Sequence, residues 1–261
     1  MPFLERDKAR IYFETYGETG PFITLINGHT RSSRDFRLLS KALVEAGFRC
    51  LCFDHRGCGL TEDLGSFTIQ DMISDIVALW AHLEITKTHV LGISMGGMIA
   101  QILAVQYQEI VDRLILISTA SAEQKISNLD AGPWGTDLKS IENRLLSYVT
   151  DEFQERNKLL LQAMAKQIQN SVQTEKFDER ARAQRQALTK LDNTHLLAKI
   201  KAKTLILHGQ DDKIIPIKAA FDLSAAIANS QLLTKKGVGH LLLAECSKDL
   251  TTHVKEFLIQ D

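Results

Sequence analysis

Short apolar runs alternate with helix-length amphipathic stretches along the first 120 residues, and this alternation limits the fold more than any other feature. Phe22-Ile23-Thr24-Leu25-Ile26 stops at Asn27-Gly28, and Phe48–Phe53, His89–Ile93 and Leu114–Ile117 are runs of similar length. Runs this short and this apolar suit strands buried on both faces, as parallel strands are. Arg10–Tyr16 is a further β-rich stretch that ends at Gly17. Between the runs the period changes. Phe36, Leu39, Leu43 and Val44 recur at helical spacing from Ser33, read as an N-cap, to Gly47, which stops the helix. Met72, Ile73, Ile76, Leu79, Trp80 and Leu83 share one face of a second helix, for which Thr68 and Asp71 read as a cap. A third helix is expected from about Met95 to Tyr107. Strand followed by helix, repeated, predicts an α/β fold with a parallel, doubly wound sheet, helices on both faces and a site along the C-terminal strand ends.

The rhythm breaks after Thr119. No convincing strand is read from Ser121 to about Lys199, where Ile141, Leu145, Leu146, Val149 and Phe153 trace one helical face. Leu160, Met164 and Ile168 trace another, and Glu179 to Leu191 reads as a third, polar helix. Gly132-Pro133-Trp134-Gly135 reads as a turn. Strands resume at Thr204–Leu207 and Gln231–Thr234, with helices at about Ala219–Ala228 and from Ser247. The expected organisation is a core of residues 1–120 and 200–261 interrupted by a helical insertion at 121–199. A chain of 261 residues can bury such a core without crosslinks.

Charge and cysteine usage narrow the function. Lys and Arg number 31 against 32 Asp and Glu, so no basic field argues for nucleic acid. No apolar run reaches the length of a membrane span. The charged start, Glu5-Arg6-Asp7, lacks the apolar stretch of a secretory signal. Cys50, Cys52, Cys58 and Cys246 fit no zinc spacing and read as reduced thiols of a cytoplasmic protein.

The sharpest chemical signal is Gly92-Ile93-Ser94-Met95-Gly96-Gly97, placed between a strand and a helix. A tight turn here presses the positions two before and two after the serine against neighbouring backbone. Gly92 and Gly96 fill them, and the turn holds Ser94 exposed at a helix N-terminus. A hydroxyl needs a base, and the base an orienting acid. Of eight histidines, His82, His89 and His253 fall in or beside helices and read as surface residues. His208 ends a strand and reads as structural, whereas His240 lies in a flexible loop after the last strand, within reach of Ser94. The acid is expected at Asp212, with Asp211 a solvated or turn-forming neighbour. No acid follows Leu114–Ile117, which removes the alternative strand end.

With these residues in place the chain resembles the α/β-hydrolase superfamily, specifically its cap-bearing serine esterases and lipases. Asp54-His55-Arg56-Gly57-Cys58-Gly59 is similar to the family's D-x-R-G-x-G turn, in which Asp and Arg are structural. The resemblance covers nearly the whole chain, weakly across 121–199, and Lys203 stands where proline is usual. It implies a mostly parallel eight-stranded sheet, with 121–199 as the cap. It also implies an oxyanion hole from the backbone N–H groups of Met95 and His29, although Asn27-Gly28-His29 replaces the family's His-Gly-x. The His29 ring reads equally as a substrate contact or as an exposed ring.

The expected activity is cleavage of a small or medium carboxylic ester through an acyl-enzyme, with no metal or organic cofactor. Thioesterase, lactonase, carbon–carbon bond hydrolase and a non-catalytic ligand receptor are the alternatives. Trp134, Leu145 and Met164 are candidates for an apolar acyl pocket, and at helical spacing they read also as cap core. The basic run Glu179–Arg185 reads first as a solvated helix face. Its other reading is a docking patch for an acyl-carrier protein, as in the distantly similar pimeloyl-carrier-protein methyl esterases. Oligomeric state is not legible.

Overall fold

In the computed structural model each of the four apolar runs of the first 120 residues is a strand, and residues 2–63, 65–126, 137–172 and 177–260 are described. The strands are β1 (Phe3–Arg6), β2 (Ala9–Tyr16), β3 (Phe22–Ile26), β4 (Arg49–Phe53), β5 (Glu62–Asp63), β6 (Thr88–Ile93), β7 (Val111–Ile117), β8 (Lys203–Gly209) and β9 (Ser230–Lys235). Their order is β1-β2-β4-β3-β6-β7-β8-β9, with β5 beside β2. Pairs from β4 to β9 along that path are parallel, and β2 runs antiparallel to β1, β4 and β5. The sheet is thus mostly parallel, with eight strands on its path and the two-residue β5 as a ninth. Strand β1 was not anticipated: it is four residues long, at the sheet edge, and carries two charges.

Period-two alternation divides each inner strand between two cores. Ile23, Leu25, Cys50, Cys52, Leu91, Ile115, Ile117, Leu205 and Leu207 point to one face. That face is covered by α1 (Arg37–Glu45), the short α9 (Leu242–Glu245) and α10 (Ser247–Ile259). Phe22, Ile26, Leu51, Phe53, Val90, Leu114, Leu116 and Ile206 point to the other, under α2 (Ile69–His82), α3 (Met95–Gln106) and α8 (Lys218–Ala226). The expectation of helices on both faces holds. Thr24 on β3 accepts from Trp80 Nε1 at 2.8 Å, which satisfies the one polar atom of the largest fully buried side chain.

Local chemistry sets the helix starts. Thr68 accepts from the Asp71 backbone N–H and Asp71 returns a bond to Thr68, the reciprocal cap expected there. Ser33 does not cap α1. It opens a 3-10 turn, Ser33–Phe36, that runs into the helix and gives its own N–H to Asp54. Between β7 and β8 lie α4 (Leu138–Leu146), α5 (Asp151–Arg156), α6 (Lys158–Val172) and α7 (Phe177–Leu188). Among the described residues of that stretch the only sheet-like pairing is a bridge between Ala122 and Asp192. Ile141, Leu145, Val149, Leu161 and Ala165 form its core with Ile214, Ile215 and Ala219. The Gly132–Gly135 turn lies outside the described residues. No described helix is long and apolar enough to cross a membrane.

One surface assignment is overturned. His89 lies on β6, is buried, and sits 3.3 Å from Asp112, because the strand starts one residue before it. Burial lowers its pKa, as it does that of His208, and drives that of His55 to about 3. The native protein therefore holds these rings neutral at pH values where the unfolded chain, titrating near 6.5, takes up protons. Their stabilising effect is complete above about pH 6.5 and is lost as pH falls through the lowered folded-state values, for His55 down to about 3, at up to about 1.4 kcal/mol per pH unit per ring. Tm is expected to hold from pH 7.5 to about 6.5 and to fall from there to pH 5, and His55→Phe to flatten that fall. A Tm that held or rose over that lower interval would contradict the assignment.

Candidate active site

The turn between β6 and α3 forces Ser94 into φ 54°, ψ −118°, a conformation that costs an L-residue of order 1–3 kcal/mol. Its neighbours explain why it is tolerated. A Cβ on Gly92 would lie 2.3 Å from Gly96 O, and one on Gly96 would lie 2.2 Å from Ile26 O. Two strand-end bonds fix the turn: Ser94 N–H donates to Ile117 O at 2.9 Å, and Thr119 Oγ1 donates to Ser94 O at 2.7 Å.

Ser94 Oγ meets His240 Nε2 at 3.2 Å, and His240 Nδ1 meets Asp212 Oδ2 at 2.8 Å. A carboxylate only accepts, so Nδ1 carries the proton and Nε2 is left to accept from the hydroxyl. Asp212 follows β8 and its Oδ1 accepts from the Ile214 and Ile215 N–H groups, each at 2.8 Å. Asp211 turns away and accepts from Gly237 N–H. His208 is wholly buried beside Asp212, 3.4 Å from Oδ2, and gives its Nε2 proton to Ile215 O at 2.8 Å. Its Nδ1 is buried without a partner, which suits a neutral ring.

The His240 loop is gripped from two sides. Its N–H donates to Tyr148 O at 2.8 Å, and its carbonyl accepts from Ser118 Oγ at 2.9 Å. Glu245 adds to the grip, accepting from Gly239 N–H and Thr150 N–H. Ser118 holds this pose at φ 45°, just past the end of β7. Sequence reasoning passed over Ser118 and Tyr148. For Ser118 the only signal was its position at a strand end, where the acid was being sought.

Gly28 crosses close over the serine, so that a Cβ there would sit 3.3 Å from Ser94 Cβ. Asn27 shapes this loop: its Oδ1 accepts from Gly28 N–H, and its Nδ2 donates to Ser32 O and Asp35. The His29 ring is not an exposed group, because its Nε2 donates to Ala181 O at 2.8 Å and so ties the loop to α7. In the D-x-R-G-x-G stretch, Asp54 accepts from Ser33 and Leu60 N–H, and Arg56 forms a buried pair with Asp75. Both hold the turn.

A cavity of about 610 Å³ opens above Ser94. Gly28, His29, Ile93, Ser94, His240 and Leu241 form part of its floor, and Leu145, Tyr148, Leu160 and Met164 come from the insertion. Leu145 and Met164 thus face the serine, whereas Trp134 lies outside the described residues. Arg31, Arg34 and Arg37 also line it, and none of them was singled out from the sequence. On α7, Arg180 pairs with Asp63 at 3.3 Å and Arg185 approaches Glu123 at 3.9 Å, while Arg182 is exposed. Two of the three arginines in the basic run therefore hold α7 to the rest of the molecule. Gln184, fully buried, does the same through Thr30 N–H and Arg56 O, each at 2.7 Å.

Comparison with known proteins agrees with this fold. Residues 21–245 match the family described as alpha/beta hydrolase fold. The BpoC protein of Mycobacterium tuberculosis, a non-heme bromoperoxidase by name, is 26% identical over 231 residues, covering 83% of this chain and 85% of its own. A hydrolase of Escherichia coli named for 2-hydroxy-6-oxononadienedioate and 2-hydroxy-6-oxononatrienedioate is 25% identical over 245 residues, 88% of this chain and 84% of its own. The enol-lactonase from Burkholderia xenovorans LB400 superposes with a TM-score of 0.86 at 23% identity, over 99% of this chain and all of that one, a likeness of fold.

Proposed function

This chain belongs to the alpha/beta hydrolase fold family, and on that premise we propose that it is a serine hydrolase cleaving a small or medium carboxylic ester through an acyl-enzyme. The observation that carries the reading is the relay Ser94–His240–Asp212, with a 3.2 Å contact across 146 positions of the chain and a 2.8 Å contact across 28.

In this reading Ser94 Oγ attacks the ester carbonyl as its proton passes to His240 Nε2. Asp212 stabilises the imidazolium and keeps the ring in its attacking orientation. The backbone N–H groups of Met95 and His29 receive the oxyanion, a contribution worth about 10²–10³ in rate for each donor. His240 then protonates the departing alcohol, and water repeats the sequence on the acyl-enzyme. Residues 121–199 act as a cap over the core of 1–120 and 200–261, with Leu145 and Met164 as acyl-chain wall. A small-molecule ester fits better than a carrier-bound one, because Arg180 and Arg185 are occupied within the molecule. The four unbridged cysteines suit a reducing, cytoplasmic setting.

The names of the relatives favour a second reading on the same three residues, cleavage of a lactone or of a carbon–carbon bond beside a ketone. A fluorophosphonate probe separates both readings from a non-catalytic receptor. Stoichiometric labelling of the wild type, absent in Ser94→Ala, is expected. An unlabelled wild-type protein that also turned over no p-nitrophenyl ester would favour the receptor. A panel of esters, thioesters and lactones on labelling-competent protein then ranks the leaving groups.

A further inference from the structure

The charges on the cavity lining do not balance. Among the described lining residues Arg31, Arg34 and Arg37 stand against one carboxylate, Asp35, while the buried Asp54 and Asp212 carboxylates are not part of the lining. Arg31 uses its Nε and Nη2 on the two oxygens of Asp35, at 2.6 and 2.7 Å, and Asn27 Nδ2 adds a third bond. That pair is a fixed, neutral part of the wall. Arg34 and Arg37 are exposed, three residues apart on the turn that leads into α1, and form no ion pair with any described residue. The nearby Glu14 does not line the cavity, and its two oxygens accept from the Tyr12 and Tyr16 hydroxyls. Two positive charges are thus left at the cavity of a chain whose overall charge is −1.

The rest of the lining is largely apolar, with Leu38, Leu145, Leu160, Met164 and Leu241 around the serine. Apolar walls focus the field of unpaired charges into the cleft. A ligand complementary to this surface has a reacting carbonyl, an apolar middle and an anionic end. A guanidinium fork matches a planar carboxylate. Resting on the serine-hydrolase reading above, we infer that the substrate carries a carboxylate received by Arg34 and Arg37. The carboxylate belongs either to the acyl part, as in a half-ester of a dicarboxylic acid, or to the alcohol, as in an acylated hydroxy acid.

The test compares matched esters by pH-stat titration. Methyl hydrogen adipate is set against methyl pentanoate for the acyl side, and O-butanoyl-6-hydroxyhexanoate against hexyl butanoate for the alcohol side. One charged ester is expected to exceed its neutral partner in kcat/KM by about tenfold, the low end for hydrogen bonds to an ionised group at an exposed site. In the double variant Arg34→Gln/Arg37→Gln that ratio is expected to fall to about one, with Arg34→Lys/Arg37→Lys keeping part of it. Raising the ionic strength is expected to lower the ratio in the wild type. Neutral esters cleaved as fast as both charged ones, or a ratio indifferent to the glutamine substitutions, would overturn the inference and leave the serine hydrolase standing. Turnover of no ester, with no fluorophosphonate labelling, would overturn both.

Discussion

Ser94→Ala is expected to lower ester turnover by about 10⁶-fold in kcat, close to the loss of the whole relay. The size follows from how the three residues depend on one another. Without the hydroxyl, His240 Nε2 has no proton to receive and Asp212 has no developing charge to stabilise. What remains is the residual catalysis that oxyanion donors and binding supply. Folding should survive, because the turn is built from Gly92, Gly96 and the backbone bonds of residue 94, none of which uses Oγ. An unchanged Tm beside lost turnover is the expected pair of results, read by thermal melt and steady-state kinetics. A variant that kept more than a hundredth of wild-type kcat would remove Ser94 from the chemistry.

The second large effect is Asp212→Asn, expected to lower kcat by about 10⁴-fold with little change in KM. The amide can keep its oxygen on the Ile214 and Ile215 N–H groups, so the loop is retained. Its NH₂ then faces His240 Nδ1, which must accept rather than donate. The ring proton moves to Nε2, where it confronts Ser94 instead of receiving from it. Asp211→Asn is the matched comparison. Its carboxylate holds Gly237 N–H and lies off the relay, so its kcat should stay near that of the wild type. Reversed outcomes for the two substitutions would reassign the acid.

Most of the fold was legible because burial on two faces leaves a mark in the sequence. The inner strands read as short apolar runs, and each helix showed its buried face. The features that escaped have a common physical origin in depending on tertiary contacts rather than on local pattern. Strand β1 is short, charged and at an edge, and β5 is two residues long, so neither carries a periodic signal. His89 reads as a surface residue because it stands beside the end of a helix, yet the first residues of β6 are already covered. Ser33 looked like a cap, but it lies inside the 3-10 turn that precedes α1, a turn held by the bond from its N–H to Asp54, twenty-one residues away. At the site, Ser94, His240 and Asp212 were legible as candidates because hydrolytic chemistry asks for those residue types at strand ends, and the folded chain brings the three into contact. Ser118, Tyr148 and the three arginines have no such demand, and only the folded chain brings Ser118 to the His240 loop and the others to the cavity.

The double grip on the His240 loop limits how the site can open. Tyr148 O is bound to the His240 N–H and Thr150 N–H to Glu245, which also holds Gly239, so lifting this part of the insertion would pull on the loop that carries His240. Helix α7 is moored as well, through Ala181 O, Gln184 and Arg180. Between the two moorings lie α5 and α6, which bring Leu160 and Met164 over the serine. The way to the serine is therefore bordered by elements tied down on both sides, Tyr148 and Thr150 at one and α7 at the other, so the bulk of a ligand is met by walls that the fold itself holds in place.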